Sequence, residues 1–141
     1  MDAVDVSEFD LGNGETLHDI TFLQPKKLRD NIKRQIITNK NKVIVQEKNF
    51  KNGNLHQDKD IPAMTMRYAD GKLCAEFYYK NGAVHRAIEK PAIIFYNKDK
   101  EIISKKYIVN GELQRNEGVK LKMFYSDGEY SLEEGAIITH Q

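Results

Sequence analysis

The sequence repeats itself every 29 residues over its carboxy-terminal two-thirds, and this period constrains the fold more than any other feature. Three octapeptides superimpose at this offset: FKNGNLHQ from residue 50, YKNGAVHR from residue 79 and IVNGELQR from residue 108. The offset also superimposes Pro62-Ala63 on Pro91-Ala92, whereas Lys120-Leu121 fills this position in the third copy. A degraded last copy is typical of a capping repeat. The period predicts repeats at about residues 50–78, 79–107 and 108–138.

Asn-Gly and Asp-Gly pairs occur where a hairpin built from these repeats would turn. Both central residues of a type I′ turn have positive φ, which Gly adopts freely and Asn or Asp adopts more readily than other residues. We therefore predict type I′ turns at five pairs: Asn52-Gly53, Asp70-Gly71, Asn81-Gly82, Asn110-Gly111 and Asp127-Gly128. Asp99-Lys100 fills the remaining position and fits less well, because Lys disfavours positive φ.

Each repeat is expected to supply one short strand and one longer, interrupted segment. The short strands are Val43–Phe50, Lys72–Lys80 and Glu101–Val109, and the longer segments are Asn54–Tyr68, Ala83–Tyr96 and Glu112–Tyr125. Pro62 and Pro91 fall inside the longer segments, where we expect a bulge, bend or short loop because proline cannot join a central ladder. With a last strand over Tyr130–Thr139, the fold class is mainly β, an antiparallel up-and-down meander of about seven strands.

Alternation within Leu73–Lys80 predicts which side of the sheet is buried. Its odd-numbered residues form an apolar face and its even-numbered residues form a mixed face. We expect one short amino-terminal helix over Pro25–Thr38 to cover the apolar face, because Leu28, Ile32 and Ile36 recur at i, i+4 and i+8 with Lys and Arg between them. Alternatively, strong twist wraps the sheet around its own core as a half-barrel.

Charge is unevenly distributed near the amino terminus, although the whole chain has a net charge of +1. Residues 1–23 carry six acids and no Lys or Arg, whereas residues 24–51 carry nine Lys or Arg against two acids. An acidic arm beside a basic segment can screen it or compete for its partner. We therefore divide the chain into residues 1–42, an acidic arm with the short basic amphipathic helix, and residues 43–141, the β-hairpin repeat domain.

Cys74 is the one cysteine, which argues against a disulfide framework and a cysteine-based metal site. No His lies beside it in the sequence, so we expect a buried small apolar residue and not a reactive thiol. The acidic amino terminus has no secretory signal, and the apolar runs fall far short of the ~20 residues of a membrane span. These features predict a cytoplasmic protein without a membrane segment.

The second copy of the repeat resembles a known family. Its Tyr79–Gly82, His85-Arg86 and Pro91–Ile94 segments are similar to the NG-x-x-HR … PA repeats of large DNA viruses, bacteriophages and bacteria. Those repeats are related in style to MORN repeats and to the repeats of YwqK-type antitoxins. The resemblance covers about residues 43–138, with His56-Gln57 departing from the pattern in the first copy. The resemblance implies a β-hairpin array with a binding or scaffolding role. If the protein is viral, it also implies a location in the host cytoplasm.

Side chains at equivalent repeat positions are candidate partner-binding residues. Arg86 and Arg115 could form a ladder of guanidinium groups that reads an acidic partner or phosphates. The alternative is structural pairing with strand carboxylates such as Glu76. The candidate partner-binding residues are Tyr78, His85, Arg86, Tyr107 and Arg115.

The repeated histidines are not expected to bind a metal. His56 and His85 lie two strands apart, ~10 Å on a regular sheet, whereas Zn²⁺ requires every ligand at ~2 Å. We expect each His to pack on a neighbouring Tyr and to hydrogen-bond a turn carbonyl. No cofactor is predicted.

A basic segment next to tyrosine-rich strands is also the usual composition of a surface for single-stranded nucleic acid. The candidate residues for this alternative function are Lys26, Lys27, Arg29, Lys33 and Arg34. The near-zero net charge weighs against it, as does the prevalence of Tyr in ordinary strands.

The glycines sit in turn positions and not in a phosphate-binding context, and no serine has a nucleophile-elbow setting, so we do not expect an enzyme. The leading hypothesis is a non-enzymatic β-repeat module that binds a protein partner, as a viral or phage factor that inhibits a host protein. A further hypothesis is self-assembly through the sheet edges, predicted at Val43–Phe50 and Tyr130–Thr139.

Overall fold

A computed structural model describes residues 4–22, 30–126 and 129–137, which form thirteen strands and no helix. The strands are β1 (Val4–Gly12), β2 (Glu15–Phe22), β3 (Ile32–Thr38), β4 (Ile44–Lys51), β5 (Asn54–Leu55), β6 (Met64–Arg67), β7 (Leu73–Phe77), β8 (Tyr79–Lys80), β9 (Ala83–Val84), β10 (Ile93–Tyr96), β11 (Ile102–Val109), β12 (Glu112–Ser126) and β13 (Glu129–Ile137). Across this part of the chain there is accordingly no helix that could span a membrane.

The strands form an antiparallel meander in which neighbours in the sheet are mostly neighbours in the sequence. The order is β1-β2-β3-β4-β6-β7-β10-β11-β12-β13, with β5 added to β4 and with β8 and β9 forming a separate small hairpin. The predicted mainly-β meander is confirmed. The strand count exceeds the predicted seven for three reasons. Residues 4–38 supply three further strands, and the longer segments Asn54–Tyr68 and Ala83–Tyr96 each break into two around Pro62 and Pro91, as expected. The predicted short strand Lys72–Lys80 also divides, into β7 and β8.

The predicted amino-terminal helix is wrong. Residues 32–38 form β3, which pairs with β2 and β4, while residues 25–31 of the predicted helix lie partly outside the described residues. The i, i+4 spacing of Ile32 and Ile36 also places both residues on one face of a strand, because four is a multiple of the two-residue strand period. The β-branched composition of this segment and pairing on both sides favour the strand.

The turns follow two geometries and not the single one predicted. Asn and Gly both have positive φ at the three predicted Asn-Gly pairs, with values such as 52° and 86° at Asn52-Gly53, as a type I′ turn requires. At Asp70-Gly71, however, only Gly71 has positive φ (94°). The N–H of Gly71 donates to the Tyr68 carbonyl and the N–H of Tyr68 to the Lys72 carbonyl, which makes a type I turn followed by a left-handed residue.

A bulge in each of three strands controls which side chains enter the core. Val45, Cys74 and Ile103, which are 29 residues apart, are the extra residues between registered pairs of β4, β7 and β11. Val45 and Cys74 are the largest fully buried side chains. Because the bulge at Cys74 interrupts the alternation, Leu73 lies on the opposite face from Ala75, which corrects the predicted apolar face.

The β12–β13 hairpin closes the core. The first half of β12 pairs with β11 and the second half with β13, and the change occurs at Gly118. Tyr130 of β13 joins Val45, Tyr68 and Cys74 in the buried cluster, and its hydroxyl accepts a 2.5 Å hydrogen bond from Gln46 Nε2. Tyr130 therefore covers part of the core, a role that the sequence had led us to expect of the helix.

The described sheet has edges at β1 and β13. β4, over the predicted edge Val43–Phe50, lies in the interior between β3 and β6. The acidic residues of the amino-terminal segment do not form a separate arm where the structure describes them, because β1 and β2 form a hairpin joined to β3. The predicted domain boundary after residue 42 falls in the turn between β3 and β4, two strands that pair directly.

Candidate functional site

Arg86 and three partners form an interlocked group, the Arg86 cluster (Asp60, Tyr78, Arg86 and Lys90). Nε and Nη2 of Arg86 donate to the two oxygens of Asp60 at 2.8 and 3.1 Å, and Nη1 donates to the Pro91 carbonyl at 3.0 Å. The guanidinium lies 3.8 Å from the ring centroid of Tyr78, and Lys90 Nζ donates to Asp60 at 2.8 Å. Arg86 thus pairs with a loop carboxylate and not with Glu76 as the structural alternative proposed.

The charged groups of the Arg86 cluster are paired with one another. Hydrogen bonds from Arg86 and then Lys90 hold the pKa of Asp60 far below its usual value. Burial raises the pKa of Tyr78, so its hydroxyl stays protonated. The side chain of Arg86 is only 15% exposed. A groove of about 330 Å³ between the 57–61 and 85–90 loops is lined by these groups, whose charges are already paired with one another.

The two repeated histidines link successive turns. The N–H of Asn81 donates to His56 Nδ1 at 2.9 Å, and the N–H of Asn110 donates to His85 Nδ1 at 3.0 Å. Both bonds span 25 residues. Since Nδ1 accepts, each neutral imidazole carries its proton on Nε2. The predicted bond to a turn carbonyl is therefore replaced by a bond from a turn N–H.

Further backbone hydrogen bonds recur at the same offset. Gly82 N–H donates to the Leu55 carbonyl at 2.9 Å, and Gly111 N–H donates to the Val84 carbonyl at 2.8 Å. The donor pair and the acceptor pair are each separated by 29 residues. His56, which is 5% exposed, lies within the first of these junctions, so its role there is to satisfy a backbone donor.

In the third copy the equivalent arginine is more accessible. The Arg115 guanidinium lies 4.0 Å from the ring centroid of Tyr107 and its Nε is 3.3 Å from Glu117 Oε2, yet its side chain is 57% exposed. The Tyr107 hydroxyl donates to Glu117 at 3.1 Å. Of the five predicted partner-binding residues, Arg115 is therefore the one that presents most of its charged group to solvent.

Both of the nucleic-acid candidates that the structure describes have acidic partners. Lys33 Nζ lies 3.3 Å from Asp19, and Arg34 forms an ion pair with Glu47. Lys26, Lys27 and Arg29 lie outside the described residues. Tyr68, Tyr78 and Tyr107 are buried and are not available as flat stacking platforms.

The described residues offer neither a cluster of metal ligands nor an accessible thiol. Residues 4–22, 30–126 and 129–137 contain no group of three or more His, Cys, Asp and Glu side chains that could hold a metal ion. Cys74 is buried, as predicted, and its burial raises the pKa of the thiol to about 11.

Sequence reasoning missed a set of exposed apolar side chains near the two ends of the sheet. These side chains are 42–55% exposed: Val4, Val6, Phe9 and Leu11 on β1, and Leu113, Phe124 and Tyr125 on β12. The available signal was the alternation of apolar and acidic residues in VDVSEFDL, which is typical of a strand.

Comparisons with protein-family models, with curated proteins and with solved structures give no match.

Proposed function

We propose that this protein is a non-enzymatic β-repeat module that binds a protein partner. The observation that carries the proposal is the exposure of large apolar side chains on β1 and β12, while many charged side chains of the array pair with one another. Large apolar side chains that stay exposed on these strands are candidates for burial against a protein partner. Arg115, stacked on Tyr107 and still exposed, adds a polar anchor of a type enriched in interfaces.

The 29-residue unit is the proposed building block of this module. The recurrence of the same hydrogen bonds at Gly82 and Gly111, and of bulges at Val45, Cys74 and Ile103, supports a repeated array. Repeat arrays bind partners across equivalent positions. Following the resemblance of the second copy, the proposed biological setting is a viral or phage factor that occludes a host protein in the host cytoplasm.

Affinity purification of the full chain from lysate of its natural host tests the proposal. We expect a stoichiometric protein partner whose recovery falls when Leu113→Ser and Phe124→Ser are introduced together. Ile88→Ser, an exposed apolar residue in the loop between β9 and β10, is the matched control. If the double substitution leaves the amount of recovered partner unchanged, the β12 apolar residues do not bind the partner.

The nucleic-acid alternative is distinguished by its salt dependence. Each neutralised phosphate releases counterions, so affinity for a single-stranded oligonucleotide would fall steeply with salt. Tight, salt-sensitive binding without a protein partner would reverse the proposal. The pairing of Lys33 and Arg34 with Asp19 and Glu47 leads us to expect only weak binding.

A further inference from the structure

β1 presents an unshared edge of the described sheet. It pairs only with β2, and all nine of its residues are exposed. Along its outer side, the backbone donors and acceptors have no partner strand among the described residues. Such an edge is a template for the addition of another strand.

Apolar side chains occupy both faces of this edge. Val6 is registered with Ile20, and Phe9 is registered with Leu17. Since Val6 and Phe9 are an odd number of residues apart, they project to opposite faces. A strand added beside β1 could therefore bury apolar surface on both sides while it completes the backbone ladder.

The charge of the edge identifies what it would accept. Asp5, Glu8 and Asp10 lie on β1, and β1 and β2 contain no Lys or Arg. The opposite edge, β13, carries Glu129, Glu133 and Glu134 and likewise no base. Pairing β1 with β1 or with β13 of a second copy would bring like charges together, which destabilises cross-strand pairs.

We infer that β1 is the docking edge for an extended segment of the partner protein in which Lys or Arg alternates with apolar residues. This inference rests on the proposed function and specifies the chemistry of the partner. Cations facing Asp5, Glu8 and Asp10 and apolar residues facing Val4, Val6 and Phe9 complement the strand, in the antiparallel direction that the rest of the sheet uses.

A synthetic peptide tests the inference directly. The antiparallel complement of residues 4–10 is Lys-Val-Lys-Thr-Val-Lys-Val, whose binding to the full chain is followed by fluorescence anisotropy. We expect saturable binding, and a peptide with Glu in place of every Lys should not bind. Two further peptides carry Pro in place of Thr or in place of the next Val. Because alternate N–H groups of a strand face its neighbour, one of these two must lose binding.

A charge exchange locates the site on the chain. Asp5→Lys with Glu8→Lys should weaken binding of the basic peptide by about tenfold or more and should allow the Glu peptide to bind. Glu89→Lys, in the loop between β9 and β10, is the control and should leave the affinity for the basic peptide unchanged. Thermal melts check that all three chains remain folded.

The outcomes separate this inference from the proposed function. Equal binding of both proline peptides would mean attraction by charge alone and would overturn strand addition, as would an absence of any binding. A dimer in solution that the double charge reversal dissociates would assign β1 to a second copy and would also overturn it. A host partner that binds equally well to the charge-reversed chain would leave the proposed function in place and remove β1 as its site.

Discussion

At the scale of single residues, the side chains that recur between copies of the repeat have structural roles that their chemistry explains. His56 satisfies the backbone N–H of Asn81, and Arg86 holds Asp60 against Tyr78. These residue types recur at the 29-residue offset, so sequence reasoning singled them out. It could not find their partners, because those lie 25 and 26 residues away in loops whose paths are set by the tertiary fold.

His56→Ala should destabilise the fold by about 1–3 kcal/mol, because the Asn81 N–H would lose its acceptor at a part-buried site and the buried ring would be removed. His56→Asn should lose clearly less, since the amide oxygen of Asn can take the place of Nδ1. The free energy of unfolding in urea measures both. Equal losses for Ala and Asn would mean that the ring stabilises by packing and not by this bond.

The Asp60–Arg86 pair should make stability sensitive to acid. Hydrogen bonds from Arg86 and Lys90 lower the folded pKa of Asp60 below its usual value of 3.8. Their contribution is therefore fully present above the unfolded pKa and is lost as the pH falls through the folded pKa. The stability difference between the wild type and Asp60→Asn should be largest above about pH 5 and should shrink toward pH 2.

Arg86→Lys is the matched control for the acid dependence. It keeps the positive charge but loses the bidentate fork, so its acid dependence should fall between those of the wild type and Asp60→Asn. Urea titrations at several pH values measure it. A stability difference that does not change with pH would contradict a role for Asp60 ionisation.

At the scale of elements, the hairpins of the repeats were predictable from the sequence, whereas strand β3 was not. The Asn-Gly pairs predicted turns that have the required positive φ at both residues. In β3, by contrast, Ile32 and Ile36 fit a helix and a strand equally, and pairing with β2 and β4 decides between them. The bulge at Cys74 was also invisible in the sequence, since one extra residue changes the facing of a strand without changing its composition.

Gly118→Ala should destabilise the chain by about 3 kcal/mol, because β12 passes close to β11 at this point. Gly118 has a φ of +97°, and an added Cβ would lie 2.2 Å from the Ile103 carbonyl oxygen. Gly111→Ala is the control: its φ is +79° but nothing lies within 4 Å, so only the backbone cost of about 1–2 kcal/mol remains. Unfolding in urea measures both, and equal losses would exclude the steric contribution.

At the scale of the whole molecule, the docking of β13 on the core determines whether Cys74 is protected. The thiol is fully buried beside Tyr130, and burial raises its pKa to about 11. A thiol reagent should therefore label the native protein slowly, at a rate limited by opening of the core. Tyr130→Ala should accelerate labelling severalfold, because it removes a core side chain and its hydrogen bond with Gln46.

Phe124→Ala is the control for this experiment, since Phe124 lies in the same hairpin but is 47% exposed. Its labelling rate should match that of the wild type. Rapid labelling of the unaltered protein in the absence of denaturant would contradict the closed core. The last strand, predicted over Tyr130–Thr139, was available from the sequence, but the contact between Tyr130 and Gln46 was not, because it joins residues 84 positions apart.

The order of the strands has a consequence for how the protein is made. Almost every strand of the sheet pairs with one that has just preceded it in the chain, so the sheet can grow as the chain leaves the ribosome. β13 also pairs with the strand before it, but its Tyr130 packs against Val45 and Cys74, which are synthesised much earlier. Until Tyr130 has emerged, Val45 and Cys74 lack this cover, and the β12–β13 hairpin is the element that supplies it.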